Sequence, residues 1–179
     1  NARVVSLTTQ TTQLTSANTA LQQANAQLTA SNTSLQLQVV PQPSSRIVNL
    51  ATRAVAGSGS QTLISGLVIT GNAPKTVLIR GVGPTLSAFA VTGVLADPQI
   101  IVYSDNTEIA SNDNWETGTS TAAQITAASA RVGAFALPAG SNDAALLVTL
   151  QPGSYTVQVT GVNNTAGVAL IEIYDVQSL

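Results

Sequence analysis

The chain has 179 residues and a formal net charge of −2, and only 8% of its residues are charged, against about 25% in an average soluble domain. It contains no Cys, Met or His, which excludes disulfide bonds, thiolate nucleophiles and sites built on sulfur or imidazole ligands. The six basic residues are scattered, and no apolar run reaches the roughly 18 residues of a membrane-spanning helix. We therefore expect neither a nucleic-acid partner nor a membrane span.

Leucine recurs at every seventh position of the N-terminal segment, which carries no charged residue between Val4 and Ser45. These leucines occupy heptad position d, and they are Leu7, Leu14, Leu21, Leu28 and Leu35. Position a, three residues earlier, holds Asn18, Asn25 and Asn32 in three successive heptads. A period of seven predicts an α-helix with a narrow a/d seam, which needs a partner helix.

Residues 1–40 are therefore predicted to form an oligomerisation helix. In a parallel assembly Asn18, Asn25 and Asn32 face their counterparts and fix the register at a cost in stability. Because the segment is rich in Thr, Asn and Ser and has no ion pairs, its helicity should depend on association. Two alternatives remain open: a disordered Thr/Gln/Ala-rich linker, or the addition of Gln36–Val40 as a strand to a neighbouring subunit.

The sequence changes character after this segment. Pro41 and Pro43 end the helix and make residues 41–45 a short linker. Short β-rich runs separated by Gly, Pro, Asn and Asp then predict a β-sandwich domain over residues 46–179. The predicted strands are Ile47–Ala54, Thr62–Thr70, Lys75–Gly81, Gln99–Ser104, Glu108–Ser111, Ala144–Leu150, Tyr155–Thr160 and Val168–Asp175.

Two segments of this domain have distinctive patterns. The strand at Val168–Asp175 is apolar on both faces apart from Glu172, which predicts a central, buried position. The Ala-rich segment Thr121–Arg131 begins with a threonine N-cap and a glutamine three residues later and stops at Gly133. It predicts one short helix, packed across one end of the sandwich. The expected fold class is mainly β: a β-sandwich or jelly roll with one short helix, preceded by a coiled-coil-type helix.

Five short motifs follow one another in the second half of the chain, and they are Asn112–Trp115, Val132–Leu137, Gly140–Leu147, Pro152–Val157 and Gly167–Tyr174. With Lys75–Pro84, this series resembles an all-β domain repeated in large secreted and surface proteins of environmental bacteria. The entry to the strand after Pro152 is more loosely similar to bacterial pre-peptidase C-terminal domains, which are β-sandwiches. The resemblance covers Arg46–Leu179 and implies an accessory or structural domain; it does not extend to the heptads.

Catalysis is not expected. The eight carboxylates have no spacing that specifies a catalytic pair, and Ser or Thr nucleophiles lack a His or a plausible Lys base. Arg80 lies in an otherwise apolar strand and requires an acidic partner, for which Glu172, Asp143 and Asp97 are candidates. Trp115 is either a hydrophobic plug or a stacking platform for a sugar.

Calcium is the only cofactor that the sequence suggests. Oxygen-bearing side chains concentrate between residues 105 and 116, and the candidate ligands are Asp105, Asn112, Asp113 and Asn114. Calcium takes six to eight such oxygens and tolerates irregular loops. The alternative is that these Asp and Asn residues simply form turns between strands.

These observations favour a structural subunit of a self-assembling extracellular fibre, stalk or sheath, whose partner is a second copy of the chain. Few lysines, no oxidisable sulfur and abundant Thr and Asn are typical of a durable protein outside the cell or on its surface. Two alternatives remain: a carbohydrate-binding or adhesion module on a coiled-coil stem, with polysaccharide as its partner, or an accessory domain of a secreted enzyme.

Overall fold

The structure is a computed structural model that describes residues 1–38 and 48–176. The chain divides into two compact units, Asn1–Arg46 and Ile47–Leu179. The first unit contains a single continuous helix, α1 (Ala2–Gln38), which is about 55 Å long at the ordinary helical rise. Residues 36–38 are therefore helical rather than part of an added strand. Val39, Val40 and the predicted linker at 41–45 lie outside the described residues.

Residues 48–176 form eight strands and one α-helix. The strands are β1 (Asn49–Ala56), β2 (Leu63–Ile69), β3 (Lys75–Val82), β4 (Pro98–Ser104), β5 (Thr107–Asn112), β6 (Ala144–Leu150), β7 (Gly153–Gly161) and β8 (Gly167–Asp175). The helix α2 spans Ala122–Val132. Each strand overlaps one of the eight predicted runs, so the predicted elements of this domain are confirmed.

The strands make two antiparallel four-stranded sheets, in the orders β1-β8-β3-β6 and β2-β7-β4-β5. The paired strands nest around the chain midpoint, as β1 with β8, β2 with β7, β3 with β6 and β4 with β5. This is the arrangement of an eight-stranded jelly roll, in which only β4 and β5 form a local hairpin. The predicted mainly-β sandwich is confirmed.

The main core lies between the two sheets. Val77 and Ile79 of β3 face Ile100 and Val102 of β4 within one buried cluster. Strand β7 contributes its alternating apolar residues to the same cluster, because successive side chains of a strand point to opposite faces. Strand β8 is buried on both faces, as its sequence predicts: Ile171 lies in the main core and Tyr174 in a second cluster.

The second cluster is on the outer face of the β1-β8-β3-β6 sheet, where α2 packs. Ile125 and Ala128 of α2 share it with Leu78 of β3 and Ala145 of β6. The predicted capping box is present at the start of α2, and Gly133 ends the helix with a φ of 71°. The prediction that α2 packs across one end of the sandwich is wrong. The helix lies on the outer face of the sheet, because the apolar side chains there on β3 and β8 would otherwise be exposed to water.

Candidate functional site

The leucines at heptad position d form one exposed seam on α1. Leu7, Leu14, Leu21, Leu28 and Leu35 are between 58% and 69% exposed. Residues seven apart return to almost the same face of a helix, so the five side chains make one long apolar stripe. The described residues of its own unit do not cover the stripe, which makes it a candidate surface for another helix.

The threonines of α1 satisfy their hydroxyl groups within the helix. All eight donate a hydrogen bond from Oγ1 to the carbonyl oxygen four residues earlier, at 2.9–3.0 Å. For Thr11, at heptad position a, the acceptor is the carbonyl of Leu7. Such a hydroxyl needs no partner from another chain, so Thr11 can offer its methyl group to the seam. The heptad pattern by itself does not reveal this contribution.

Asn18, Asn25 and Asn32 are exposed on the same side of α1 as the leucines. Their side-chain amides make no hydrogen bond to any residue that the structure describes. An amide carries both donors and an acceptor, so two such side chains can pair with each other across a helix–helix contact. The three amides therefore have hydrogen-bond donors and acceptors that are unpaired within the described residues, and an identical helix in register would supply their partners.

The four predicted calcium ligands do not form one group. Asp105 lies in the turn between β4 and β5, with a φ of 53°, a conformation that Asp tolerates better than most residues. Asn112 ends β5, and the strand between them spans roughly 16 Å. Asp113 and Asn114 follow Asn112 directly. Strand β5 therefore separates Asp105 from the other three.

Asn112 already uses its amide to organise the chain that follows. Its Oδ1 accepts the N–H of Ala145 at 2.9 Å. Its Nδ2 donates to the carbonyls of Asn114 at 2.9 Å and Thr117 at 2.6 Å. With three bonds made, this amide folds residues 112–117 into a turn and ties them to β6, as expected of a turn residue rather than of a metal ligand.

Trp115 is a buried plug. Its side chain is 6% exposed, its Nε1 donates to the carbonyl of Pro138 at 3.2 Å, and its backbone N–H donates to the carbonyl of Asp143 at 2.8 Å. It packs in the cluster beneath α2 with Ile125. A ring in this position has no open face on which a sugar could stack.

Asp97 and Asp113 are the carboxylates that interact most clearly through their charges. Burial raises the pKa of Asp97 above its ordinary value, and the charge of Asp113 adds to the increase. One carboxylate oxygen of Asp97 is buried without a hydrogen-bond partner among the described residues. Over the same part of the chain, no group of three or more Asp, Glu, His or Cys residues lies close enough to hold a metal ion.

The buried ion pair of the domain joins neighbouring strands. Arg80 Nε of β3 lies 3.0 Å from Glu172 Oε2 of β8, and the two residues are direct partners in the register. The angle is poor for a hydrogen bond, so the contact is mainly Coulombic. Arg80 Nη1 donates to the carbonyl of Phe135 at 2.7 Å, and the Phe135 ring covers the guanidinium with 4.3 Å from Cζ to the ring centre.

Tyr174 completes this group. Its hydroxyl donates to Glu172 Oε1 at 2.7 Å. Burial, followed by the hydrogen bond to Glu172, raises the pKa of Tyr174 to about 12. Burial lowers the pKa of Arg80, against the attraction of Glu172. Of the three partners predicted for Arg80, Glu172 is the one in contact. The group has a structural role beneath the loop that follows α2.

Asp143 has different partners. It is fully buried, and its Oδ1 accepts the backbone N–H groups of Gly83 at 2.8 Å and Thr85 at 3.3 Å. Its Oδ2 accepts the hydroxyl groups of Thr85 and Ser141. The carboxylate thus holds the start of the 3₁₀ helix at Pro84–Phe89. Ser141 is a neighbour in the chain, but nothing in the sequence around Asp143 indicates Gly83 and Thr85, because they lie about sixty residues away.

No family model matches the sequence, and no curated protein matches it either. Among solved structures, the chain is similar to the pre-peptidase C-terminal domain of a collagenase from Bacillus anthracis, with 11% sequence identity and a TM-score of 0.42. The alignment covers 70% of this chain and 89% of that one. The assignment of a sandwich therefore rests on the two sheets themselves. No helix of the described residues is long and apolar enough to cross a membrane.

Proposed function

We propose that the chain is a non-enzymatic structural subunit of an extracellular fibre, stalk or sheath, which assembles from copies of itself. Helix α1 forms the stem by packing against the same helix of other copies. The jelly-roll domain forms the exterior. The observation that carries the proposal is the exposed leucine seam of α1, with its five leucines at 58% to 69% exposure.

The energetics of the seam support association between helices. Full burial of a leucine contributes about 1.5–3 kcal/mol, and each chain has five to bury. An isolated helix with this many Thr and Asn residues has low intrinsic stability. Burial of the leucines between helices would supply the stability that helix propensity does not provide. Asn18, Asn25 and Asn32 reduce the stability of the contact, but they favour a parallel, in-register arrangement because mismatched amides would stay unpaired.

The remaining surface fits an assembly protein. With 8% charged residues and a net charge of −2, copies of the chain repel each other weakly. The absence of Cys and Met and the scarcity of Lys remove the side chains most exposed to oxidation and modification outside a cell. The motif resemblance to domains of secreted and surface proteins points to the same location.

The test replaces one seam residue and one matched residue off the seam. Leu21→Asp places a carboxylate in the centre of the seam, where its desolvation costs several kcal/mol. Gln23→Asp adds the same charge at heptad position f, on the opposite side of α1. We expect Leu21→Asp to lower both the helical circular dichroism signal and the mass measured by sedimentation velocity, and Gln23→Asp to leave both close to wild type.

Two results would contradict the proposal. Equal effects of the two variants would show that charge itself, and not the seam, controls assembly. A wild-type protein that stays monomeric at high concentration, with no elongated particles in negative-stain images, would remove the basis for a fibre.

A further inference from the structure

The two sheets have four edge strands, and one of them is sealed. On β6, the N–H of Ala145 is accepted by Asn112 Oδ1 at 2.9 Å. The N–H of Leu147 is accepted by Ser120 Oγ at 3.1 Å, and this hydroxyl donates to the Leu147 carbonyl at 3.2 Å. The segment from Asn112 to Ser120 therefore occupies the backbone groups with which another strand would pair.

Within residues 1–38 and 48–176, no segment covers the edges at β1 and β5 in this way. Strand β1 pairs only with β8 and strand β5 only with β4 among the described residues. Both carry exposed aliphatic side chains: Leu50 and Val55 on β1, and Ile109 on β5. The free edge of each strand leaves a row of backbone donors and acceptors, which is a template for pairing with another chain.

The open edges at β1 and β5 carry opposite charges. Arg53 is the only charged residue of β1, and Glu108 is the only charged residue of β5. Both are exposed, and neither has an ion-pair or hydrogen-bond partner within residues 1–38 and 48–176. Each also lies on the outer face of its sheet, since Arg53 is opposite Leu170 and Glu108 is opposite Tyr103. In a sheet continued from β1 into β5, the two side chains would share one face.

We propose that β1 of one copy pairs with β5 of a second copy, so that the β1-β8-β3-β6 sheet of one domain continues into the β2-β7-β4-β5 sheet of the next. Strands β1 and β5 are edge strands of different sheets, so the contact joins two different surfaces of the domain. It is therefore heterologous, and its repetition produces an open chain of domains rather than a closed dimer. This inference rests on the proposed function, because it names a second contact within the same self-assembling fibre.

The opposite charges of Arg53 and Glu108 favour pairing of β1 with β5 over pairing of either strand with the edge at β2. The third open edge, β2, has no charged residue, so it offers nothing to Arg53 or Glu108. An exposed ion pair changes association by no more than about fivefold, and a six-residue edge contact is small. The contact therefore depends on α1 to bring copies close, since a tether raises the effective concentration of the attached domains.

The chain contains no cysteine, which permits a clean crosslinking test on the full-length protein. Val55→Cys on β1 and Ile109→Cys on β5 are made as separate variants that keep Arg53 and Glu108. The two are mixed and oxidised, and the disulfide-linked dimer is quantified on non-reducing gels. The control mixture pairs Ile64→Cys, on the uncharged edge β2, with Ile109→Cys. We expect the first mixture to crosslink about tenfold faster than the control and than either single variant alone.

Each other outcome overturns the contact. Equal rates in the two mixtures mean that α1 merely brings the domains together. Fastest crosslinking of Val55→Cys with itself means a symmetric contact between β1 edges. Fastest crosslinking in the control mixture means that β2 is the partner of β5.

A second measurement tests the charges without cysteine. Arg53→Glu and Glu108→Arg should each raise the concentration needed for assembly by about fivefold, and the double variant should restore the wild-type value. Additive losses in the double variant would overturn the charge pairing.

The edge contact and the α1 seam fail in different ways. In the Leu21→Asp background and at high protein concentration, crosslinking should slow but keep its preference for the β1–β5 mixture. Loss of that preference in both backgrounds, with seam-dependent assembly intact, would overturn the edge contact alone. If the β1–β5 mixture still crosslinks fastest but Leu21→Asp has no effect on assembly, the proposed stem is overturned and the edge contact is kept.

Discussion

At the scale of single residues, the carboxylates that have buried oxygens fall into two environments. Glu172 is buried beside the Arg80 guanidinium and accepts a hydrogen bond from Tyr174. Asp143 is buried and accepts hydrogen bonds from several neighbours, among them the N–H of Gly83. Asp97 is less deeply buried, and one of its oxygens has no partner among the described residues. A buried carboxylate with donors is tolerated because they replace its hydration, whereas one without donors favours its neutral form.

Asp97→Asn should therefore stabilise the domain in a pH-dependent way. The pKa of Asp97 is raised in the folded state, so its contribution to stability is full below the unfolded pKa of about 3.9 and is lost as pH rises through the folded value. We expect a higher urea midpoint than wild type at pH 7 and no difference near pH 3. The fluorescence of the single, buried Trp115 reports unfolding.

Asp113→Asn is the matched control for this experiment. It removes the charge that adds to the raised pKa of Asp97. It should therefore raise the urea midpoint at pH 7 by only part of the increase expected for Asp97→Asn. A stability difference between Asp97→Asn and wild type that does not change with pH would contradict the assignment.

At the scale of elements, the segment between β5 and α2 is a structural strap rather than a flexible loop. Asn112 and Ser120 form hydrogen bonds to the free edge of β6, and Trp115 packs in the same buried cluster as Ile125 of α2. The sequence showed a cluster of Asp and Asn residues here but not their use. A turn and a metal site require the same side-chain oxygens, so composition by itself does not separate them.

Asn112→Ala should lower the free energy of unfolding by about 1–3 kcal/mol, because the N–H of Ala145 loses its partner in a buried position. The loss should be equal in EDTA and in millimolar calcium. Asn114→Ala is the matched control and should cost no more than about 0.5 kcal/mol. A loss that appears only with calcium present, or an increase in the wild-type melting temperature on adding calcium, would show that the metal does bind here.

At the scale of the whole molecule, helix α1 and the jelly roll belong to two separate compact units. The two hydrophobic clusters of the jelly roll consist entirely of residues between Ala56 and Val176. Helix α1 has no buried residue among those whose exposure is described. The jelly roll therefore has a core of its own, whereas α1 buries none of these side chains within the chain, and under the proposed function it is stabilised by packing against other copies.

Deletion of Asn1–Ser45 should leave a folded jelly roll with an unchanged urea midpoint, measured by Trp115 fluorescence. At micromolar concentration it should sediment as a monomer, because a single weak edge contact does not hold copies together without the stem. Polymerisation of the truncated protein to the same extent as the full chain would show that α1 is not the main assembly device.

The local patterns of the sequence determined the elements of this protein. Alternation and turn residues predicted all eight strands, the capping residues predicted α2, and the heptads predicted α1, since each pattern depends only on residues close in the chain. Tertiary structure alone decided the nested pairing of β1 with β8 and β2 with β7, the position of α2, the choice of Glu172 for Arg80, and the use of Asn112 to seal β6. These contacts join residues tens of positions apart, and their partners depend on which faces become buried together, which no local pattern specifies.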